Sequence, residues 1–194
     1  YGVTDLTVNG ETIDDHSDFS KLVSDERVKH IVEKANFYRC DSGKVRGLMF
    51  CSRKAEANEL SARLLDYGLK AVALTGESNE DERKKSIDQL EEGIIDYIIT
   101  VDIFNEGIDI PLVNQVIMLR PTQSAIIFVQ QLGRGLRKAA GKEYLTVIDF
   151  IGNYSNSYLI PIALYGDTSF NKDSIRKLLV GGSQGLPGSC TIDF

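Results

Sequence analysis

The sequence predicts a doubly wound α/β domain built on a mostly parallel sheet. Short runs rich in Val, Ile, Leu and Phe alternate with segments of helical periodicity, and several of the runs are continuously apolar. A continuous apolar run suits a strand covered on both faces, as in a parallel sheet. Strand–helix alternation then favours right-handed crossovers between parallel neighbours. The predicted strands are 45–51, 70–74, 96–100, 113–119 and 144–150.

The region before the first of these strands is expected to differ from the rest. The stretch "TDLTVNGETIDD" favours a short strand pair that turns at Asn9-Gly10. Residues 24–38 then predict one helix. Its inward face is expected to hold Val28, Ile31, Val32 and Ala35.

Three further helices are predicted between the strands, over 52–68, 78–93 and 124–132. Ser52 is a plausible N-cap for the first, and a glycine closes each of the first two. Acids in the opening turn of the second helix suit the helix dipole, and Ile87 and Leu90 form its apolar face. The expected inward stripe of the first helix is Ala57, Leu60, Leu64 and Leu65.

Length and charge limit the classes of protein. A chain of 194 residues can form one domain with a sizeable core. A net charge of −6 argues against a surface coated in basic charge for nucleic acid. Residues 110–142 nevertheless contain five Lys or Arg and no Asp or Glu, which indicates a local surface for an anion.

Cysteine and histidine usage gives no metal site. The three cysteines include no C-x-x-C pair, and there are only two histidines, so we predict no structural zinc. Cys51 lies in an apolar run and is expected to be buried. A reducing, cytoplasmic compartment fits this usage. We find no signal sequence, and no apolar run approaches the ~18 residues of a membrane span, so no membrane association is expected.

Four motifs follow predicted strands or the helix after one, and ligands of open parallel sheets bind beyond the strands' carboxyl ends. Thr75-Gly76 combines a hydroxyl with a bare backbone, and its N–H groups and Oγ suit a phosphate. Two arginines three positions apart, Arg134 and Arg137, lie among glycines with no acid nearby. The four motifs are "FCSRK" (50–54), "LTGE" (74–77), "TVDIFNEGIDIP" (100–111) and "QQLGRGLRK" (130–138).

In this order the motifs resemble those of the C-terminal RecA-like domain of superfamily 2 helicases and translocases. "FCSRKAEANEL" resembles motif IV, "LTGESNEDER" the following Thr-Gly block, and "TVDIFNEGIDIP" motif V. "QQLGRGLR" matches the Q-x-x-G-R-x-x-R pattern of motif VI. The resemblance covers roughly residues 45–150. Glu106-Gly107 and Gln130 are closer to the excision-repair and type III restriction translocase branch than to the DEAD-box RNA branch, which favours DNA over RNA.

The resemblance implies roles for particular residues. In such proteins ATP and Mg²⁺ bind between two RecA-like domains and mainly to the first, so the N-terminal RecA-like domain of the same protein is the expected partner. Arg134 and Arg137 would be arginine fingers that stabilise charge on the transferring phosphoryl group. Further nucleotide contacts would come from Gly107, Asp109, Gln130 and Gly133. The nucleic-acid backbone would lie along Ser52, Arg53, Thr75, Gly76 and Thr100.

The phosphate loop and the acidic magnesium-binding box are not found in this sequence. "SGKV" (42–45) fails the phosphate-loop pattern, because Tyr38 stands where glycine is needed and Val45 where Ser or Thr is needed. The acidic stretches "DERV" and "DERK" open predicted helices, where acids are common. The chain therefore carries half of an ATPase on a RecA-like fold without the phosphate loop, and we expect it to be inactive alone.

The resemblance also suggests a division of the chain. Residues 1–40 would be a linker and helix leading from the first motor domain, 41–152 the RecA-like domain, and 153–194 a short accessory C-terminal segment. Because the chain opens on Tyr1, we expect it to be part of a longer protein.

Other interpretations remain open. The chain could be a non-catalytic nucleic-acid or protein binding module of RecA-like fold, or less plausibly a free-standing α/β enzyme. Asp109 could simply cap a turn before Pro111, Thr75 could be an ordinary residue at a strand end, and Arg53 could be a surface cation.

Overall fold

The computed structural model of the protein describes the central part of the chain and a few flanking residues. The predicted helix over 124–132 and the accessory segment lie outside the described residues. The described residues are 7–8, 11–13, 17–40, 43–51, 53–101, 110–120, 142 and 144–150.

A five-stranded parallel sheet forms the centre of this structure. Its strands are β3 (Gly47–Phe50), β4 (Ala71–Leu74), β5 (Tyr97–Thr100), β6 (Gln115–Met118) and β7 (Thr146–Asp149). They lie in the order β4-β5-β3-β6-β7, and every neighbouring pair is parallel. Each strand falls inside the run predicted for it, so the parallel α/β fold is confirmed.

Both faces of the sheet are covered by core residues. Leu48 and Phe50 of β3 belong to one buried cluster, while Met49, between them, and Cys51 belong to the other. Successive side chains of a strand point to opposite faces, so a strand with all four residues buried must lie between two layers. This explains the continuous apolar runs, and it confirms the buried position predicted for Cys51.

Helix α3 (Lys54–Asp66) covers one face but begins two residues later than predicted. Its N-cap is Arg53, so the prediction that Ser52 caps it is wrong. Leu60 and Leu64 are buried as expected, whereas Leu65 is 62% exposed. Leu65 follows Leu64 and is rotated by about 100° around the helix, which takes it off the narrow inward stripe.

Helix α4 (Glu80–Glu92) packs on the opposite face through Leu90. Its start is fixed by a capping box, in which Asn79 accepts from the Glu82 N–H and the Glu82 carboxylate accepts from the Asn79 N–H. Its end is Gly93, whose φ of 70° lies in the left-handed region that glycine tolerates. The acidic first turn and the closing glycine were both predicted.

The amino-terminal segment contributes to the same structure. Strands β1 (Thr7–Val8) and β2 (Glu11–Thr12) form the predicted antiparallel pair. The short helix α1 (Phe19–Leu22) was not predicted. Helix α2 (Asp25–Tyr38) has the predicted position and inward face, and its buried residues join the cluster of α3 and the strands. The domain division at residue 40 stays a prediction.

A side-chain network fixes α2 over the amino end of the sheet. The Tyr97 ring lies across Gly47, where a Cβ would be 2.2 Å from the ring. The Tyr97 hydroxyl donates to Gln115 Oε1 at 2.5 Å, and Gln115 Nε2 donates to the Ala35 carbonyl oxygen at 2.9 Å. Burial raises the pKa of Tyr97, so its hydroxyl stays protonated and able to donate.

A fully buried ion pair joins α2 to α3. The Arg27 guanidinium donates to Glu56 Oε1 at 3.1 Å and to the Leu22 carbonyl oxygen at 2.8 Å. It also donates to the carbonyl oxygen of Leu119, just beyond β6, at 3.4 Å. Both charged side chains are completely buried. One guanidinium therefore connects α1, α2, α3 and the carboxyl end of β6.

None of the helices in the described part of the chain has the length and apolar character needed to cross a membrane.

Replacing one partner of this pair should destabilise the protein strongly. Glu56→Gln leaves the Arg27 charge buried without its anion, so we expect a loss of about 3–5 kcal/mol in the free energy of unfolding. Urea denaturation measures it as a lower midpoint at unchanged slope. The control is Glu33→Gln, which breaks the exposed Lys29–Glu33 pair and should cost at most about 0.5 kcal/mol. Equal losses of stability from the two substitutions would contradict the interpretation that the buried Arg27–Glu56 pair stabilises the fold.

Candidate nucleic-acid interface

Three of the predicted site segments meet at the carboxyl edge of the sheet. Phe50, Thr100 and Leu74 end three neighbouring strands and are level with one another in the pairing register. Because β5 lies between β3 and β4, the segments that follow those two strands flank the end of β5. Adjacent strands are about 4.8 Å apart, so the ends of β3 and β4 are separated by about 10 Å.

Arg53 follows β3 and is half-buried at the start of α3. One guanidinium nitrogen, Nη2, makes a long hydrogen bond of 3.5 Å to the Ser17 carbonyl oxygen. A guanidinium carries five N–H donors. Among the described residues, this is the one hydrogen bond that the Arg53 side chain makes. The side chain is therefore held at one point and has donors left for an anion.

Thr75 organises the turn after β4. Its N–H donates to Ser78 Oγ at 3.1 Å, and its carbonyl oxygen accepts from the Ser78 N–H at 2.9 Å. Its hydroxyl oxygen accepts from the Glu77 N–H at 3.3 Å, and the residue is only 7% exposed. The N–H and the hydroxyl oxygen of Thr75 are both engaged within the turn, and contact between Thr75 and a nucleic-acid phosphate stays a prediction.

Gly76 presents the open backbone in this turn. Its φ lies outside the left-handed region, and a Cβ added there would meet no atom within 4 Å. The residue is exposed, and its N–H donates to no acceptor in the described residues. Neither conformation nor packing within the described structure requires glycine here, and the N–H of an exposed glycine suits a phosphate oxygen.

Thr100 ends β5, between the two segments. Its carbonyl oxygen accepts from the Cys51 N–H at 3.1 Å. Its side chain is fully buried, and its hydroxyl has no hydrogen-bond partner among the described residues. A buried hydroxyl without a partner costs about 1–3 kcal/mol. Contact between Thr100 and a nucleic-acid phosphate stays a prediction that requires the covering residues to move.

An ion pair that sequence reasoning missed spans this edge. Lys54 Nζ lies 2.5 Å from Glu77 Oε1, and the two side chains are 51% and 78% exposed. The hydrogen bond from Lys54 and its positive charge lower the pKa of the Glu77 carboxyl, so Glu77 is ionised at neutral pH. The sequence signal that could have indicated this pair is position. Lys54 directly follows Arg53 and Glu77 directly follows Gly76, and both Arg53 and Gly76 were predicted contacts.

The other predicted site residues lie outside the described part of the chain. They are Ser52, Gly107, Asp109, Gln130, Gly133, Arg134 and Arg137. The predicted nucleotide contacts therefore stay predictions. Among the residues that are described, no three His, Cys, Asp or Glu side chains are grouped to hold a metal ion.

Several curated relatives of this chain are named helicases. It is 26% identical over 181 residues to the putative ATP-dependent helicase IRC3 of Saccharomyces cerevisiae, which covers 90% of this chain and 26% of the relative. It is 32% identical over 120 residues to the ATP-dependent RNA helicase SrmB of Haemophilus influenzae, covering 62% of this chain and 27% of that protein. The chain thus spans about a quarter of the length of these relatives.

Solved structures share the fold. The DEAD-box protein SrmB of E. coli, solved with regulator of ribonuclease activity A, matches with a TM-score of 0.55 at 18% identity, covering 92% of this chain and 94% of that one. The Hef helicase domain of Pyrococcus furiosus matches with a TM-score of 0.51 at 22% identity, covering 67% of this chain and 26% of that one. Both likenesses confirm the RecA-like fold.

The family itself is identified by a match over more than half of the sequence. Residues 26–139 match the helicase conserved C-terminal domain. The match begins in α2 and extends past the two arginines of "GRGLR". Together with the parallel sheet and the motifs at its carboxyl edge, it confirms the predicted resemblance: the chain belongs to the helicase C-terminal domain family of superfamily 2 helicases.

Proposed function

We propose that this domain is the second motor domain of an ATP-dependent helicase or translocase that moves along the DNA backbone. The observation that carries the proposal is a pair of donors at the carboxyl edge of a helicase C-terminal domain: the N–H of the exposed Gly76 and the guanidinium of the half-buried Arg53. Both donors suit phosphate oxygens and neither reads a base, which fits movement along any sequence.

In this proposal Ser52, Thr75 and Thr100 complete the backbone path around those donors. Thr75 contributes mainly by holding the turn that exposes Gly76, since its N–H and hydroxyl oxygen are both engaged there. Thr100 would contribute its unpaired hydroxyl once the residues over β5 move. Such movement is expected of a motor domain that changes conformation during a cycle.

We propose DNA as the track because of Glu106-Gly107 and Gln130, which depart from the DEAD-box RNA pattern. The names of the relatives give no support to this choice. SrmB is named an RNA helicase, whereas IRC3 is named a helicase without a stated nucleic acid. The choice between DNA and RNA therefore rests on these motif residues and is tested directly below.

Arg134 and Arg137 are proposed as arginine fingers acting on ATP held mainly, with Mg²⁺, by an N-terminal RecA-like domain of the same protein. A fixed guanidinium opposite the transferring phosphoryl group stabilises charge that develops in the transition state. Its planar fork adds orientation that lysine lacks. Gly107, Asp109, Gln130 and Gly133 are proposed to contact the nucleotide or position the arginines.

Removal of one finger should abolish turnover and leave ATP binding intact. In the full-length protein, we expect Arg137→Ala to lower nucleic-acid-stimulated ATP hydrolysis by about 10³-fold or more. Steady-state turnover is measured with single-stranded DNA, duplex DNA or RNA, beside binding of a fluorescent ATP analogue. Stimulation by DNA and not by RNA is expected.

The control for this measurement is Arg63→Ala. Arg63 lies in the last turn of α3, outside the proposed site, and pairs with Glu59 and Asp25. That substitution should leave turnover within about twofold. Equal turnover of Arg137→Ala and Arg63→Ala would show that "GRGLR" is surface charge, and the binding-module interpretation would replace ours. Stimulation by RNA alone would overturn the choice of DNA.

The 194-residue chain by itself should be an inactive half of the motor. It lacks a phosphate-loop pattern, so we expect weak ATP binding and no turnover above background. Isothermal titration with Mg·ATP and a phosphate-release assay measure both. Turnover by the purified chain that Arg137→Ala abolishes would contradict the two-domain proposal.

Gly76→Ala should separate binding from stability. Open space and an ordinary φ mean that alanine fits without strain, so stability should stay the same or rise by about 0.4–1 kcal/mol. A methyl group beside the N–H would obstruct close approach of a phosphate, so affinity for single-stranded DNA should fall severalfold. Fluorescence anisotropy measures the affinity, and urea denaturation measures the stability. Unchanged affinity would remove Gly76 from the proposed track.

A further inference from the structure

We propose that Lys54 is an additional phosphate contact of the track and that Glu77 occupies it when no nucleic acid is bound. This inference rests on the proposed function of the carboxyl edge. Glu77 would act as a competing anion that must leave Lys54 before a phosphodiester can take its place, and so would limit how tightly the domain holds its track.

The position of the pair carries the first step. Lys54 opens α3 directly after Arg53, and Glu77 follows Gly76 in the turn after β4. In the sheet, β5 lies between β3, which precedes Lys54, and β4, which precedes Glu77. The contact between Lys54 Nζ and Glu77 Oε1 therefore joins the segment that follows β3 to the segment that follows β4, and each of the two residues is next in sequence to a donor proposed for phosphate.

The chemistry of the pair carries the second step. An ammonium group is a compact cation that accepts a carboxylate or a phosphate oxygen as its partner. Both side chains are more than half exposed, and exposed pairs of this kind hold together weakly. A phosphodiester can therefore displace the carboxylate without rearranging the fold, because the flexible side chains alone need to move.

The turn around Glu77 carries the third step. Its N–H is tied to the Thr75 hydroxyl and the Thr75 N–H to Ser78, so the backbone that aims Glu77 at Lys54 is fixed. The adjacent Gly76 N–H remains open. A phosphodiester bound by the Lys54 ammonium would lie beside the turn that carries the Gly76 N–H, with the Glu77 carboxylate as its competitor.

The purely structural alternative makes the opposite prediction. If the pair serves only to clip the turn to α3, its loss would lower stability and leave nucleic-acid affinity unchanged or reduced. If Glu77 competes with phosphate, its neutral variant should bind more tightly. The two interpretations therefore differ in whether neutralising Glu77 raises the affinity for nucleic acid.

The experiment measures the affinity of the full-length protein for fluorescein-labelled oligo(dT) of twenty nucleotides, and of oligo(U) of the same length, by anisotropy. We expect Glu77→Gln to raise affinity about two- to fivefold and Lys54→Gln to lower it by a similar factor. Lys54→Gln should also reduce the slope of log affinity against log salt by about 0.7, the value for one lost single-strand phosphate contact. In the double variant the gain from Glu77→Gln should disappear.

The matched control is Glu33→Gln, which removes the same charge from the exposed Lys29–Glu33 pair on α2. Urea denaturation of all variants verifies that each is folded. If Glu77→Gln and Glu33→Gln raise affinity equally, or the gain survives in the double variant, the effect is one of net charge and the inference is wrong while the proposed function stands. If the wild-type protein binds neither oligonucleotide, the proposed function and the inference both fail.

Discussion

Parallel pairing of β3 with β5, and of β5 with β4, determines where this domain can bind anything. The register aligns Phe50, Thr100 and Leu74 at one edge, so segments about twenty-five residues apart along the chain begin side by side. Each crossover must return over a face of the sheet, which buries the strands between two layers. At the opposite edge Tyr97 donates to Gln115, and Gln115 donates to α2, whereas the carboxyl edge carries the Gly76 N–H and Arg53.

The strands were predictable because burial on both faces removes polar residues from them. The helices were predictable where a local signal marks an end, as Gly93 does for α4. Leu65 shows where periodicity fails: two consecutive leucines satisfy the pattern equally, and only packing decides which one is buried. Arg27 and Glu56 show another limit. Charged residues in first turns predict solvent exposure, and only the crossing of α2 with α3 brings the pair together and buries it.

In the candidate site, too, some features could be predicted from the sequence and others depend on packing. Gly76 and Arg53 were predictable because the motifs place them after strands, and the strand ends determine their location. The burial of Thr100 was not predictable, since the exposure of a strand's last side chain depends on what covers the edge. The internal bonds of Thr75 were also missed, because a hydroxyl that closes a turn and one that binds a phosphate look identical in sequence.

Local charge would also allow an acidic domain to follow a polyanion, as the proposed function requires. At about 0.1 M salt the Debye length is roughly 10 Å, so most acids of a chain with net charge −6 are screened from a phosphate at the edge. A carboxylate in contact with a phosphate-binding ammonium is not screened in this way. Glu77 should therefore affect the affinity of the track more than its share of the net charge suggests. In the proposed motor each bound phosphate must later be released, and a weakly held internal anion beside Lys54 would limit the affinity for phosphate without changing the fold.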